Sequence, residues 1–414
     1  MNPDRTLLLV GHPTEAIRIA KSFGMNVILI QHKSKVEKAQ ADLADVMFVV
    51  DYTDWSVVGP LAEAAHQIWG FAATASLTDP GQDATSRIND RYGLPGTGFE
   101  VYHRLRDKLA MRRHLSTADG VLPVGAEPLT DKASLTAFGD RYGYPFIVKP
   151  LDLGGSFGVM RVREPADVDR AWAQVLRLRE TGVDRGPRDL FSINDFLMEE
   201  YLPGTEYTVE AFSFAGHHVV VAVTEKVLNE AHFAELGHAL PARISATEEA
   251  EIVAATVRFL DAIGLRDGAS HTEVRVSKRG VGIIESHNRI GGAHINELIE
   301  AGYGVNLMRY AIGWPLRLIE PLAERPAPTG AGCVRFLSSP PGRIEAIEGF
   351  GEVLAHPDVL AANLTAKPGD VVRPVENNWD LLGLVAVRGP NTDAAVKLCE
   401  DLVERTVRVR LEAR

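Results

Sequence analysis

Apolar runs alternate with helical patterns through the first hundred residues. Residues 7–10 are an apolar run that ends at Gly11, and a helical pattern follows over residues 14–23. Further apolar runs at residues 27–30 and 46–50 complete a β-α-β alternation. This alternation predicts a parallel sheet with helices, a fold that binds ligands at the carboxyl ends of its strands. Because Gly11 lacks the full G-x-G-x-x-G pattern, a structural α/β domain is favoured over a dinucleotide site.

The middle of the chain mixes strands with longer helices. Its pattern predicts strands near residues 146–148, 159–162, 196–200, 207–212, 218–223, 271–277 and 281–286, and helices over residues 131–142, 166–180 and 247–263. Residues 181–187 are predicted to be a polar connection, and residues 232–242 an irregular segment. Glycine and proline clusters at residues 92–98 and from Pro326 are typical of boundaries between units.

The last part of the chain has a mixed pattern of its own. Strands are predicted near residues 333–337, 352–355 and 382–388, and a helix over residues 391–405. We therefore expect an α/β domain at residues 1–105, a central domain at residues 106–325 and a C-terminal α+β subdomain at residues 326–414. No candidate chemistry is evident in the last of these.

One hairpin carries two acidic residues in a pattern that favours metal binding. The chain on either side of a predicted tight turn at residues 278–280 has strand character. If Ser277 pairs with Val281, Glu273 lies directly opposite Glu285. Facing carboxylates destabilise a sheet, and burial makes this worse, unless a divalent cation lies between them. Oxygen ligands suit Mg²⁺, which usually also binds phosphate oxygens, so a metal–nucleotide site is one hypothesis and an edge hairpin with solvated acids is the other.

Several other features could bind an anion. Arg289, just after the hairpin, offers a planar fork suited to phosphate. Lys149 ends an apolar strand and needs a counter-charge. The glycine-rich loop at residues 154–158 exposes backbone N–H groups, and Ser156 adds a hydroxyl donor; the alternative is a plain turn, and the loop is not a Walker A motif. Lys108, in the first turn of a predicted helix, would on its own be interpreted as solvated.

Composition and charge restrict the partners. The chain has 414 residues, 45% of them hydrophobic, and a net charge of -11, which disfavours nucleic acid as a partner. Its two cysteines, Cys333 and Cys399, have no metal or redox spacing, so a reducing cytoplasm is the expected compartment. Neither a signal-peptide pattern nor an apolar stretch of membrane-spanning length is found, so no membrane association is expected.

Four motifs in order resemble the ATP-grasp superfamily, and most closely its carboxylate–amine ligases, including L-amino-acid ligases. YGLPGTG followed by DKLAMR resembles the entry to the grasp domain, and FIVKP followed by GGSFGV resembles its nucleotide-binding strand and glycine loop. MEEYLPGTEYTVE resembles the adenine and ribose hinge, and TEV followed by IIESHNRIGG resembles the metal-binding end. The resemblance covers nearly the whole chain and implies a central two-lobed ATP-grasp domain.

The resemblance implies a role for each matching position. ATP phosphates would be bound by Lys108, Lys149 and the loop containing Gly155 and Ser156. Adenine would meet Glu199, Glu200 and Leu202, ribose would meet Glu206, and Glu273 and Glu285 would bridge Mg²⁺. Arg289 would face the transferred phosphate and the acyl phosphate, so that Arg289 and Lys149 would be the catalytic residues. Glu235 and His238 are the candidate contacts to the substrate, with a solvated loop as the alternative.

The third metal ligand departs from the family pattern. Where relatives have Glu-x-Asn-x-Arg, this chain has His287 in the asparagine place and Asn288 shifted by one residue. Imidazole is a poorer ligand for Mg²⁺ than oxygen. The open alternatives are that His287 binds a softer ion such as Mn²⁺, that Asn288 reaches in, or that the third ligand is water.

The implied activity is ATP-dependent ligation of a carboxylate to an amine through an acyl phosphate, releasing ADP and phosphate, with amino acids as the expected substrates. The resemblance makes a homodimer one candidate assembly, because dimers are common among relatives, and the sequence leaves the oligomeric state open. The alternatives are a carboxylase-like or ribonucleotide-modifying enzyme of the same superfamily, and a catalytically silent nucleotide-binding regulator.

Overall fold

The computed structural model describes residues 1–183, 189–193 and 195–412. Residues 184–187 of the predicted polar connection lie outside these ranges. Within them, no helix has both the length and the apolar character needed to cross a bilayer.

The N-terminal unit is the predicted parallel sheet with helices. Its strands take the order β3-β2-β1-β4, with all pairs parallel. The five residues of β1 are all buried, as expected for a central strand covered on both faces. In chain order the elements are β1 (Thr6–Val10), α1 (Thr14–Ser22), β2 (Asn26–Gln31), α2 (Lys38–Leu43), β3 (Val46–Val49), α3 (Trp55–Trp69), β4 (Ala73–Ala75) and α4 (Asp79–Tyr92).

Two short helices lead into a small antiparallel sheet of order β5-β8-β6-β7. The second helix starts where the sequence predicts, because the Asp107 carboxylate accepts a hydrogen bond from the Ala110 N–H at 2.9 Å. The elements are α5 (Phe99–Arg106), α6 (Lys108–Leu115), β5 (Ala126–Pro128), α7 (Lys132–Tyr142), β6 (Phe146–Pro150), β7 (Met160–Val162), α8 (Val168–Thr181) and β8 (Phe196–Glu200).

The remaining chain builds a long antiparallel sheet of order β13-β12-β9-β10-β11-β14-β18-β16 and a smaller one of order β17-β15-β19. The long sheet crosses the predicted boundary at residue 326, since β11 pairs with β14. The elements are β9 (Thr205–Phe214), β10 (His217–Leu228), β11 (Glu235–Leu240), α9 (Ala246–Ile263), β12 (Gly268–Ser277), β13 (Gly280–His287), α10 (Ile295–Tyr303), α11 (Leu307–Gly313), β14 (Ala331–Leu337), β15 (Gly342–Glu348), α12 (Phe350–Ala355), β16 (Val359–Leu364), β17 (Val371–Val372), β18 (Gly383–Gly389), α13 (Thr392–Asp401) and β19 (Arg408–Leu411).

Two predicted segments have a different structure. Residues 232–242, predicted to be irregular, contain strand β11, which is paired on both sides by β10 and β14. Residues 352–355, predicted as a strand, lie in helix α12. Both short segments lack a clear period in sequence, so tertiary pairing decides their structure.

Glu273 and Glu285 face each other as predicted, but the strand register that brings them together differs from the predicted one. The turn is one residue shorter than predicted, because Ser277 pairs with Gly280 rather than with Val281. On its own, the shorter turn would shift the register by one residue and place Ile284, not Glu285, opposite Glu273. A β-bulge next to Glu273 adds one residue to β13 and brings the two acids back into register.

Arg112 joins the small sheet to the long one. Its Nε donates to the Glu199 carboxylate on β8 at 3.0 Å, and its two terminal nitrogens donate to the Ile283 and Ile284 carbonyls on β13 at 2.7 and 3.0 Å. The side chain is almost fully buried. A single planar guanidinium therefore connects helix α6 to both sheets.

Replacing Arg112 with methionine should destabilise the fold by about 3 kcal/mol, because it leaves a buried carboxylate with one cation fewer and two carbonyls without donors. Urea unfolding would measure the loss. Arg113→Met changes an exposed arginine on the same helix and should cost less than about 0.5 kcal/mol. Equal losses in the two variants would show that Arg112 does not join the sheets.

His12 is a buried titratable group at the carboxyl end of β1. Burial lowers the pKa of its ring to about 4. Below pH 6.5 His12 is therefore protonated in the unfolded chain, whereas it stays neutral in the folded chain until the pH approaches 4. The contribution of the neutral His12 ring to the free energy of unfolding is fully present above pH 6.5 and is lost as the pH falls toward 4.

Between pH 7.5 and pH 5, His12 should contribute a loss of about 2 kcal/mol to the free energy of unfolding. His12→Gln removes the titration, so the variant should lose about that much less stability than the unaltered chain over this range. Urea titrations at the two pH values measure the difference. The same pH-dependent loss in both proteins would contradict the burial of a neutral ring.

Candidate active site

A cavity of about 90 Å³ is lined by residues from the small sheet and from one end of the long sheet. Most of the predicted site residues meet there, namely Lys108, Lys149, Gly155, Ser156, Glu199, Glu200, Leu202, Glu206, Glu235, Glu273 and Glu285. His238, His287, Asn288 and Arg289 do not line it.

Two buried lysines face the cavity, each paired with a carboxylate. The Lys108 ammonium donates to the Leu153 carbonyl at 2.8 Å and lies 3.0 Å from Glu285 Oε2, so the solvated interpretation of this side chain is wrong. The Lys149 ammonium lies 2.5 Å from Glu199 Oε1. Burial lowers the pKa of Lys149, and the attraction of Glu199 opposes that effect. Both groups are placed to exchange a carboxylate for an incoming anion.

The glycine loop has a left-handed backbone at two successive residues. Gly155 and Ser156 both have positive φ, at 68° and 59°. The Ser156 hydroxyl donates to the Phe233 carbonyl at 2.7 Å, which ties the loop to the segment before β11. The loop is therefore an ordered part of the cavity wall.

The C-terminal segment contacts residues of this wall, although no chemistry was expected in it. The Asn378 N–H donates to the Gly155 carbonyl at 3.1 Å. Its side-chain amide accepts from the Glu235 N–H and donates to Glu235 Oε2, both at 2.8 Å. The ring of Trp379 lies 5.0 Å from that of Phe157 in the loop. The C-terminal segment thus positions both the glycine loop and a candidate substrate contact.

The predicted hinge residues have protein partners. The Glu200 carboxylate accepts from the Gly125 N–H at 2.5 Å. Arg275 donates to the Leu202 carbonyl at 3.0 Å and to the Glu206 carboxylate at 2.9 Å. Glu206, the predicted ribose contact, therefore has a guanidinium as its partner at the cavity edge.

Glu273 and Glu285 remain ionised although they are buried. Burial would raise the pKa of Glu285, but Lys108 and His287 overcome this and hold it well below its usual range. Burial would also raise the pKa of Glu273, but Lys226 lowers it further than the neighbouring Glu285 raises it. Both carboxylates are therefore available as anionic oxygen ligands.

Lys226 is a buried ammonium that the sequence analysis did not identify. It lies 2.7 Å from Glu206 Oε1, 2.7 Å from Glu235 Oε1 and 3.2 Å from Glu273 Oε2. Burial would lower its pKa, but the three carboxylates raise it well above its usual range. The ammonium is therefore permanently charged.

The two candidate substrate contacts lie next to each other on β11. The His238 Nε2 is 3.5 Å from Glu235 Oε2, and the ring is buried. Its Nδ1 has no hydrogen-bond partner among the described residues. Since β11 is a paired strand, the solvated-loop alternative for these two residues is wrong.

The residues after β13 contact the N-terminal unit. Arg289 makes a bidentate bond to Asp79, with Nε and NH2 donating at 2.7 and 2.8 Å. His287 bridges two carboxylates, with Nδ1 3.1 Å from Asp79 Oδ1 and Nε2 3.1 Å from Glu285 Oε1. The Asn288 amide donates to Gln82 Oε1 at 2.9 Å. His287 therefore already has two carboxylate partners, and the side-chain amide of Asn288 is oriented by Gln82.

The donor set at Glu273 and Glu285 fits Mg²⁺, because it offers carboxylate oxygens. Over the described ranges, no three His, Cys, Asp or Glu side chains converge as a metal cluster. Each of the two carboxylates has a lysine at one of its oxygens, Lys108 at Glu285 Oε2 and Lys226 at Glu273 Oε2.

Four residues of the site were missed from the sequence, and three of them left a weak signal. Arg112 lies on the same helical face as Leu109 and Leu115, where a charge must find a buried partner. The Lys226 side chain is buried on β10, and Asp79 begins the helix that follows the carboxyl end of β4. Asn378 left no signal, because only tertiary packing brings it to Gly155.

Comparisons with known proteins agree with this geometry. The family model of the ATP-grasp domain matches residues 142–297, and that of the L-amino acid ligase C-terminal domain 2 matches residues 335–412. A D-alanine–D-alanine ligase of Parabacteroides distasonis is 32% identical over 256 residues, which cover 53% of this chain and 69% of that protein. An alanine–anticapsin ligase of Bacillus subtilis is 28% identical over 53% of this chain.

The matched region spans about half the length of that alanine–anticapsin ligase, at 48%. The crystal structure of an L-amino acid ligase from Bacillus licheniformis superimposes with a TM-score of 0.82, covering 100% of both chains at 18% identity, and so shares the fold. From its family match, its relatives and its fold, the chain belongs to the ATP-grasp superfamily.

Proposed function

We propose that this chain is an ATP-dependent carboxylate–amine ligase that forms an amide or peptide bond and releases ADP and phosphate. The observation that carries the proposal is one cavity that combines Lys108 and Lys149 with the facing carboxylates Glu273 and Glu285. A structural domain or an apolar-ligand carrier has no need for two buried lysines and two buried acids around one space. Two ammonium groups are suited to the phosphates of a nucleotide, and two facing carboxylates are suited to the metal ion that accompanies it.

The nucleotide would be held by the chain's own cations and backbone donors. Lys108 and Lys149 would exchange Glu285 and Glu199 for phosphate oxygens, and the loop at Gly155 and Ser156 would cover the phosphates. Glu199, Glu200 and Leu202 would line the adenine site, and Glu206 would hold the ribose hydroxyls. These roles rest on the position of each residue around the cavity.

Glu273 and Glu285 would hold Mg²⁺, with water as the third ligand, because His287 and Asn288 are already bound to other side chains. Mn²⁺ is the alternative ion and would suit His287 if its ring left Glu285. When bound, the ion neutralises charge on the transferring phosphoryl group.

In the reaction, the substrate carboxylate attacks the γ-phosphate of ATP in line and forms an acyl phosphate. Lys149 and Arg289 stabilise the negative charge of the transferring group. The amine then attacks the acyl carbon, and phosphate leaves the tetrahedral intermediate. The glycine loop, held by Phe233 and Asn378, keeps water away from the acyl phosphate.

The substrates are proposed to be amino acids. The names of the relatives, among them D-alanine–D-alanine ligase, alanine–anticapsin ligase and carnosine synthase, support this class. Glu235 and His238 are buried and adjacent, and would contact the substrate on the side of β11.

The proposal predicts ADP release from ATP in the presence of Mg²⁺ when pools of amino acids are supplied. Glu285→Gln should reduce the rate by about 100-fold or more, because one metal oxygen and the partner of Lys108 lose their charge. Glu251→Gln, at an exposed position of α9, is the matched control and should remain within about twofold.

A coupled ADP assay with pairwise amino-acid screens would measure these rates, and mass spectrometry would identify the product. Full activity in Glu285→Gln would refute the metal assignment. If no pair of carboxylate and amine raises ADP release above background, the chain is not a ligase of this class.

A further inference from the structure

Lys226 makes one bond to each of three carboxylates, and these bonds are not equivalent. The distances to Glu206 and Glu235 are both 2.7 Å, whereas that to Glu273 is 3.2 Å. An ammonium has three N–H donors, so Lys226 has one donor for each of the three carboxylates. The longest bond goes to the carboxylate proposed to bind the metal.

The three carboxylates also differ in their other partners. Glu206 has a second cation, because Arg275 Nε lies 2.9 Å from Oε2. Glu235 has the Asn378 amide at 2.8 Å and His238 at 3.5 Å. Glu273 has only the more distant His271, whose Nε2 lies 3.8 Å from Oε1. Among the described residues, Lys226 is therefore the close cationic partner of Glu273.

The sheet face around Glu273 also carries buried hydroxyl groups that make no hydrogen bond to the described residues. The hydroxyls of Thr208 and Thr224 are fully buried, and neither has a hydrogen-bond partner among the described residues. Thr208 pairs with Glu273 across β9 and β12, and Thr224 pairs with Thr208 across β9 and β10. This face is thus built to receive a polar group that the described protein atoms do not supply.

Lys108 has the same arrangement at the other metal carboxylate, since it lies 3.0 Å from Glu285. Each of the two facing acids is therefore neutralised by its own lysine. A divalent cation arriving alone must displace an ammonium from both acids and leave each lysine without that partner. A cation arriving with a nucleotide brings phosphate oxygens that can take the released Lys108.

We propose that Lys226 is a built-in cation that holds Glu273 while the site is empty of nucleotide, and that the divalent metal displaces it from Glu273 onto Glu206 and Glu235. Lys226 is thus a positioning residue that competes with the metal for Glu273 and weakens metal binding to the nucleotide-free site. The inference rests on the proposed function for the position of the metal, and concerns a side chain to which that function assigns no role.

The test is a titration of the nucleotide-free chain with Mn²⁺, followed by the electron paramagnetic resonance signal of the free ion. Lys226→Gln keeps hydrogen-bond donors but removes the charge, and should bind one Mn²⁺ at least about tenfold more tightly than the unaltered chain. Lys226→Arg keeps the charge and is the matched control, with an affinity close to that of the unaltered chain.

A second variant covers the case in which Lys226→Gln does not fold. In Lys226→Gln with Glu235→Gln, one positive and one negative charge are removed together, so the cluster stays balanced while Glu273 still loses its ammonium. This double variant should also bind Mn²⁺ at least about tenfold more tightly. Adding Glu273→Gln to either variant should abolish the gain.

An unchanged Mn²⁺ affinity in folded Lys226→Gln and in the double variant would overturn the inference, as would an equal gain in Lys226→Arg. A purely structural lysine would change the thermal midpoint without changing the metal affinity. The titration needs no substrate, so its failure leaves the ADP-release assay intact. Conversely, tighter Mn²⁺ binding by the variants, together with no ADP release by the unaltered chain, would contradict the ligase proposal and leave the role of Lys226 standing.

Discussion

The site depends on the pairing of buried charges. A buried carboxylate is tolerated only with a cation close by, and the cavity meets this demand with Lys108 on Glu285 and Lys149 on Glu199. Arg112 adds a second cation to Glu199 and ties it to β13. The same contacts that keep the acids ionised also hold the two sheets together. Stability and the proposed chemistry therefore rest on the same few side chains.

Much of the fold could be predicted from periodicity. The β-α-β alternation before residue 100 yields the parallel sheet, because buried parallel strands are continuous apolar runs. The facing of Glu273 and Glu285 was also predicted, but the turn was predicted to be one residue too long. The bulge beside Glu273 compensated for that error. A bulge depends on cross-strand packing and has no signature in a single strand.

The parts that could not be predicted are those that depend on contacts distant in sequence. Strand β11 has no clear alternation, and it becomes a strand because β10 and β14 offer hydrogen-bonding edges on both sides. Asn378 reaches Glu235 from 143 residues away in the chain. Lys226 has the period of a buried strand residue, but only the sheet order reveals that Glu206 and Glu273 lie on the same face. Motifs therefore identified many of the residues that line the cavity, and missed those that hold them.

The N-terminal unit belongs to the site through one carboxylate. Asp79 begins α4 at the carboxyl end of β4, and it binds both Arg289 and His287. His287 in turn contacts Glu285, so a continuous line of contacts connects the proposed metal carboxylate to the proposed phosphate-binding arginine. The attraction of Asp79 raises the pKa of Arg289 although burial opposes it, and the guanidinium stays charged. Because Asp79 holds Nε and NH2 of Arg289, the orientation of this arginine is set by the N-terminal unit, whose sheet shares no strand with the sheets that line the cavity.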